Sequence, residues 1–199
     1  MSQEPAHRSA VPVAIALTAV VVLLFGSSFG SPGAEMDEGT LVAYPEFVAK
    51  GLVPGGDFET FYGPGEPYLV AGVFEVLGAS VTTERVVGLA FRLAIVLSIF
   101  ALVLPWGRAW AAAAGLTSAL IMLPLGLSAL AIFGAIAFGL GGVALLHLAR
   151  GRARHGAPSP TLACAGGLAC GLAIAFRPDI VVAIALGALP LLWRADRST

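Results

Sequence analysis

Apolar residues in this chain come in long unbroken runs, not in the alternation of a half-buried strand or the narrow stripe of a soluble helix. The first run covers residues 11–29, and the others cover 83–104, 109–125, 130–148, 161–176 and 180–193. At about nineteen residues, the first makes roughly 28 Å of helix, close to the hydrocarbon thickness of a bilayer. It is longer than the core of a secretion signal, and no A-x-A cleavage site follows it, so it reads as an anchor. The last two runs are shorter, roughly 24 and 21 Å as helices. Arg177, Pro178 and Asp179 separate them, which favours a tight hairpin of two thin spans over one kinked unit.

Residues 30–82 break this pattern. Within them, the segment from Glu35 to Gly78 holds eight of the chain's twelve Asp and Glu residues and a single Lys. A helix is expected over Thr40 to Lys50, with Asp37 or Glu38 capping it. Turns follow at Gly55-Gly56-Asp57-Phe58 and Tyr62-Gly63-Pro64-Gly65, and an amphipathic helix over Pro67 to Leu77 carries Glu75 as its one charge. The predicted fold is all-α: a single polytopic membrane bundle over residues 1–199 with about six spans. Its long extracytoplasmic first loop carries juxtamembrane helices.

Composition agrees with this class. Hydrophobic residues make up 58% and charged residues 12% of the chain, and mean hydropathy is +0.91, far from the mix of a soluble domain. The net charge of −1 hides a segregation of acidic residues into one loop and Arg into others. No basic patch with interleaved aromatics occurs, which excludes a nucleic-acid partner. With Arg108, the Arg150 to Arg154 cluster, Arg194 and Arg197 on the cytoplasmic side, the spans alternate consistently from a cytoplasmic N-terminus, as in a multi-pass protein of the plasma membrane. Pro67 to Leu77 then lies at the outer surface without crossing, and Trp106, Trp110 and Trp193 share the cytoplasmic interface.

Candidate chemistry concentrates near the outer face. Asp37 and Glu38 follow the first span closely; as adjacent carboxylates they point in different directions, which suits one base and one cap or partner. Arg85 and Arg92 are seven apart and share a helix face. Arg92 is deep enough to require a carboxylate or a lipid phosphate as partner, while Arg85 either joins it or snorkels to the interface. Cys164 and Cys170 read as small buried thiols. Ala163, Gly167 and Gly171 form a small-residue stripe for helix packing. Gly139 to Gly142 lacks the preceding strand and following Lys of a phosphate loop.

Asp37-Glu38 after a first span, then P-x-x-D-F-x-T-x-Y-G-P-G-x-x-Y-L-x-A from Pro54 to Ala71, then F-x-x-L-G-x-S-x-x-x-x-R from Phe74 to Arg85, resembles the amino-terminal half of GT-C superfamily glycosyltransferases. The protein mannosyltransferase and lipid A aminoarabinose transferase group, of the family 39 type, is the nearest likeness. G-L-A-I-A-F-R-P-D, from Gly171 to Asp179, is similar to a later segment of the same family. The resemblance implies an inverting transferase that moves a sugar from a polyprenyl-phosphate donor to an acceptor on the extracytoplasmic face, with Asp37 as general base. Arg92, Arg177 and Arg85 are the candidates for holding the prenyl phosphate, and Glu38, Tyr62 and Asp179 complete the candidate substrate-binding set. Membrane lipid is the other expected partner. No His and Cys spacing supports a metal site, no cofactor is specified, and a divalent cation beside Asp37 and a phosphate is left open.

Two departures accompany the likeness. The outer segment from Pro124 to Phe133 lacks the second acidic residue common in such enzymes, and the chain has fewer spans than they do. This leads to the expectation that the 199 residues are a fragment, a truncated and inactive transferase, or a reduced relative. The competing class is a non-catalytic membrane scaffold or a lipid or solute carrier, in which Asp37, Arg92 and Arg177 form structural ion pairs.

Overall fold

The computed structural model describes residues 10–30 and 35–193, the side chains of 35–37 and 189–193 excepted. Among these residues the chain is helical throughout, with no strand. In chain order the helices are α1 (Ala10–Gly26), α2 (Glu35–Ala49), α3 (Gly65–Leu77), α4 (Val81–Val103), α5 (Arg108–Met122), α6 (Ala131–Arg154), α7 (Pro160–Phe176) and α8 (Val181–Trp193). With their 3-10 extensions, Ala10–Gly30, Val81–Trp106, Arg108–Leu125 and Ala131–Arg154 are long and apolar enough to cross a membrane. Pro160–Phe176 and Pro178–Ala188 are apolar but shorter. By length and composition four helices among the described residues are candidate membrane spans, where the sequence pattern suggested six.

Local chemistry sets the ends. Ser80 caps α4 by accepting a hydrogen bond from the Thr83 backbone N–H at 3.1 Å, so the helix begins at Val81, before the predicted residue 83. Gly107, with φ 120°, lets the chain reverse into α5. Helix α6 runs to Arg154, beyond the predicted end at residue 148, because nothing in Ala149 to Arg154 breaks a helix; Gly156, with φ 74°, follows. Helix α2 starts at Glu35, so Asp37 and Glu38 lie in its first turns and do not precede it as caps.

Helices α1, α4, α5, α6, α7 and α8 run alternately up and down. Helix α4 is central, packed against α1, α5 and α6, and α6 packs most extensively against α7. Phe91, Phe138 and Phe176 meet edge-on or tilted, with centroids 5.3 to 6.3 Å apart. Gly134 makes room for them, since a side chain there would strike the Phe176 ring. The stripe that closes α7 onto α6 is Gly166 and Cys170 against Gly142. Ala163, Gly167 and Gly171 face outward, and so does Cys164. The expected packing stripe is therefore rotated by about one residue, and only Cys170 of the two thiols is partly covered.

Helices α2 and α3 pack on each other and sit over one end of the bundle, touching α4, and α3 also touches α6 and α7. The intervening loop is held by Phe58, whose ring lies 5.4 Å from Tyr44 and 5.3 Å from Phe47.

Candidate functional site: a charged cluster at one end of the bundle

Residues 27–30 and 35–66, the start of α4, the α5–α6 turn and the end of α7 meet at the end of the bundle covered by α2 and α3. Asp37 lies in the first turn of α2, and its side chain is outside the described residues. The next residue, Glu38, accepts hydrogen bonds from Arg85 Nε at 3.0 Å and Nη2 at 2.6 Å. Arg85 Nη1 also donates to the Phe29 carbonyl. With side chains only 9% and 14% exposed, Arg85 and Glu38 form a nearly buried ion pair that fastens α2 and the end of α1 to α4. Arg85 is thus a structural partner, not a snorkelling side chain.

Arg92 is fully buried two turns further along α4. Its Nη1 donates to the carbonyls of Gly88 at 2.9 Å and Ser128 at 3.1 Å. Its guanidinium lies 4.1 Å from the Phe133 ring centroid and 5.8 Å from that of Phe25. Within the protein its partners are carbonyl dipoles and ring faces, and no carboxylate forms an ion pair with Arg92 among the described residues. Gly88 makes this possible: any side chain there would collide with the Leu127 carbonyl, so the α5–α6 turn lies directly against α4.

Two further carboxyls, absent from the expected site, lie beside these arginines. Glu84 is fully buried and accepts a hydrogen bond from the Ala129 backbone N–H. Glu66, in the first turn of α3, is 4% exposed. Burial, and secondarily the nearby Glu84 carboxyl, push the Glu66 pKa up to about 8. Among the described residues Glu66 Oε1, Glu84 Oε2 and Arg92 Nε and Nη2 have no hydrogen-bond partner. The signal for Glu84 was present in the sequence, because an acid inside an apolar run is expensive and needs a reason. Glu66 carried no such signal: it sits in a Gly- and Pro-rich turn that reads as solvated.

Tyr62, Arg177 and Asp179 form a second, more exposed group. Arg177 donates to Asp179 Oδ1 at 3.0 Å and Oδ2 at 2.7 Å, and its guanidinium lies 4.7 Å from the Tyr62 ring centroid. The Arg177 hydrogen bonds hold the Asp179 carboxyl below its usual range and raise Arg177 in turn. The Gly63 backbone N–H donates to the Phe176 carbonyl at 3.0 Å. Gly63 and Gly65 press so closely on Ala175 and Phe176 that neither position has room for a side chain.

The structure thus brings Glu38 and Arg85 into direct contact, and does the same for Tyr62, Arg177 and Asp179. Arg92 lies beneath, at the same end. No group of three or more His, Cys, Asp or Glu residues is arranged to hold a metal among the described residues; the side chains of Glu35 and Asp37 are not among them. The end as a whole offers carboxylates for proton transfer and guanidiniums for an anion, on an apolar bundle open to lipid. Compared with protein-family models, with characterised proteins and with solved structures, the chain has no match.

Proposed function

We propose that the chain is an integral membrane glycosyltransferase, or the amino-terminal part of one, acting on a polyprenyl-phosphate sugar. In this reading six helices cross the plasma membrane, the N-terminus is cytoplasmic, and the end bearing α2 and α3 faces outward. The observation that carries it is the Glu38–Arg85 pair. It fixes the helical turn bearing Asp37 at the end of the bundle where Arg92 and Arg177 also lie.

Asp37 takes the proton from an acceptor hydroxyl as its oxygen attacks the anomeric carbon. The bond from that carbon to the phosphate oxygen breaks, and prenyl phosphate leaves with the negative charge. Single displacement inverts the anomeric centre. Arg177, at the surface beside Tyr62, stabilises the leaving phosphate by charge-assisted hydrogen bonds. Arg85 orients the turn of Asp37 through Glu38. Arg92 adds positive charge from below, and its Nε and Nη2 have bonding capacity to spare.

The test is transfer of labelled sugar from a polyprenyl-phosphate donor by the full-length protein in lipid. Asp37→Asn keeps size and removes the base, and should lower the rate by roughly 10² to 10⁴. Undiminished transfer overturns the mechanism. One observation favours the scaffold reading instead: Arg85 and Arg177 are already satisfied by carboxylates of the same chain. If Arg177→Gln leaves polyprenyl-phosphate binding intact and lowers only thermal stability, the scaffold reading replaces the transferase.

A further inference from the structure

The opposite end of the bundle has a different chemistry. It carries Arg108 at the start of α5 and Arg150, Arg152 and Arg154 on the last turns of α6. Between Glu84 and Asp179 the sequence contains no Asp or Glu at all, so neither of these helices supplies a carboxylate to neutralise them. Arg108, Arg152 and Arg154 are exposed. Trp106 and Trp110, flanking Arg108, are 73% and 71% exposed.

Depth places these groups. Helix α6 has 24 residues, roughly 36 Å, against a hydrocarbon core of about 30 Å. Its last turns therefore emerge into the headgroup layer, where the exposed indoles also belong. Guanidiniums present paired donors that match phosphate oxygens. The indoles bring an apolar body and an N–H to the same depth.

We infer that this end is a binding surface for anionic phospholipid headgroups, with Arg108, Arg152 and Arg154 on the lipid phosphates and Trp106 and Trp110 beside them. Zwitterionic lipid carries no net charge and gains less from the same contacts. A guanidinium near an anionic surface contributes about fivefold in association, less at high salt. The inference does not depend on the transferase reading.

Tryptophan fluorescence tests it in the full chain, because the tryptophans are Trp106, Trp110 and Trp193, all in segments that end on this side. The protein is placed in phosphatidylcholine vesicles containing a minor fraction of brominated phosphatidylglycerol or brominated phosphatidylcholine. Quenching should show a severalfold preference for phosphatidylglycerol that falls with added salt and disappears in the R108Q/R152Q/R154Q variant. The R108K/R152K/R154K variant should retain most of the preference. Equal quenching by the two lipids, or a preference undiminished by salt, overturns the inference, and both readings need only the unaltered chain. Displacement by millimolar glycerol phosphate would also overturn it, by showing a site for free phosphate esters and not for a lipid surface.

Discussion

Glu66 is a carboxyl in a place where ionisation is costly. Arg85 faces Glu38, Arg177 faces Asp179 and Lys50 faces Glu46, and the group that acts on Glu66 from α4 is another carboxyl, Glu84. Its folded-state pKa of about 8 lies above the ordinary 4.5, so between those values the folded chain holds a proton that the unfolded chain has released. The stabilisation is complete below about pH 4.5, declines as pH rises to about 8 and then levels off. Thermal unfolding in lipid nanodiscs should show this slope, and Glu66→Gln, neutral at every pH, should make it shallower. A variant with an unchanged slope would mean that Glu66 is ionised in the fold. The Glu38–Arg85 pair calls for the opposite treatment, since removing one partner strands a nearly buried charge. Arg85→Met should cost about 3 kcal/mol, and adding Glu38→Leu should recover much of it, a coupling that a double-mutant cycle measures. The position of Glu38 after the first span marked it as a cap or partner beside Asp37, but the residue it pairs with, 47 residues away, emerged only when α2 folded over α4.

At the scale of elements, the contact between α6 and α7 depends on rotation about the helix axis. Gly166 approaches the Gly142 carbonyl and the Leu146 side chain, and an added Cβ would sit 3.0 Å from the former and 2.9 Å from the latter. A Cβ at the adjacent Gly167 would meet nothing within 4 Å. Gly166→Leu should therefore destabilise the bundle by about 1 to 3 kcal/mol, whereas Gly167→Leu should stay within about 0.5 kcal/mol. Thermal unfolding of the two variants separates the faces, and equal effects would refute this rotation. The stripe expected from spacing was Ala163, Gly167 and Gly171, one position away. Helix α7 is apolar nearly all round, so its sequence carries little information about which side is covered.

For the whole molecule, the clearest feature is the separation of charge between two ends. Carboxylates gather where α2 and α3 cover the bundle, and Arg108, Arg152 and Arg154 lie exposed at the other end. The Gly63–Phe176 hydrogen bond places the α7–α8 turn at the acidic end. In a Cys-free background, single cysteines at Asp57 and Pro178 should then react with an impermeant maleimide from one side of the membrane, and one at Ala153 from the other; all three positions are exposed. Labelling of position 178 from the side of position 153 would mean that α7 does not cross, leaving the four long helices as the spans.

The membrane class, the helical content, the approximate ends of the helices and the unequal distribution of charge were all determined by sequence alone. Each follows from local quantities: run length, hydropathy, and the Gly, Pro and Ser residues that stop or cap a helix. Tertiary structure alone decided that Glu66 is buried, that Glu38 is the partner of Arg85, that Arg92 rests on carbonyls and aromatic rings, and that Gly166 faces α6. Those facts depend on helix rotation and on contacts between distant residues. An apolar run that is greasy on every side specifies that it will be buried or embedded in lipid, but not what it will face.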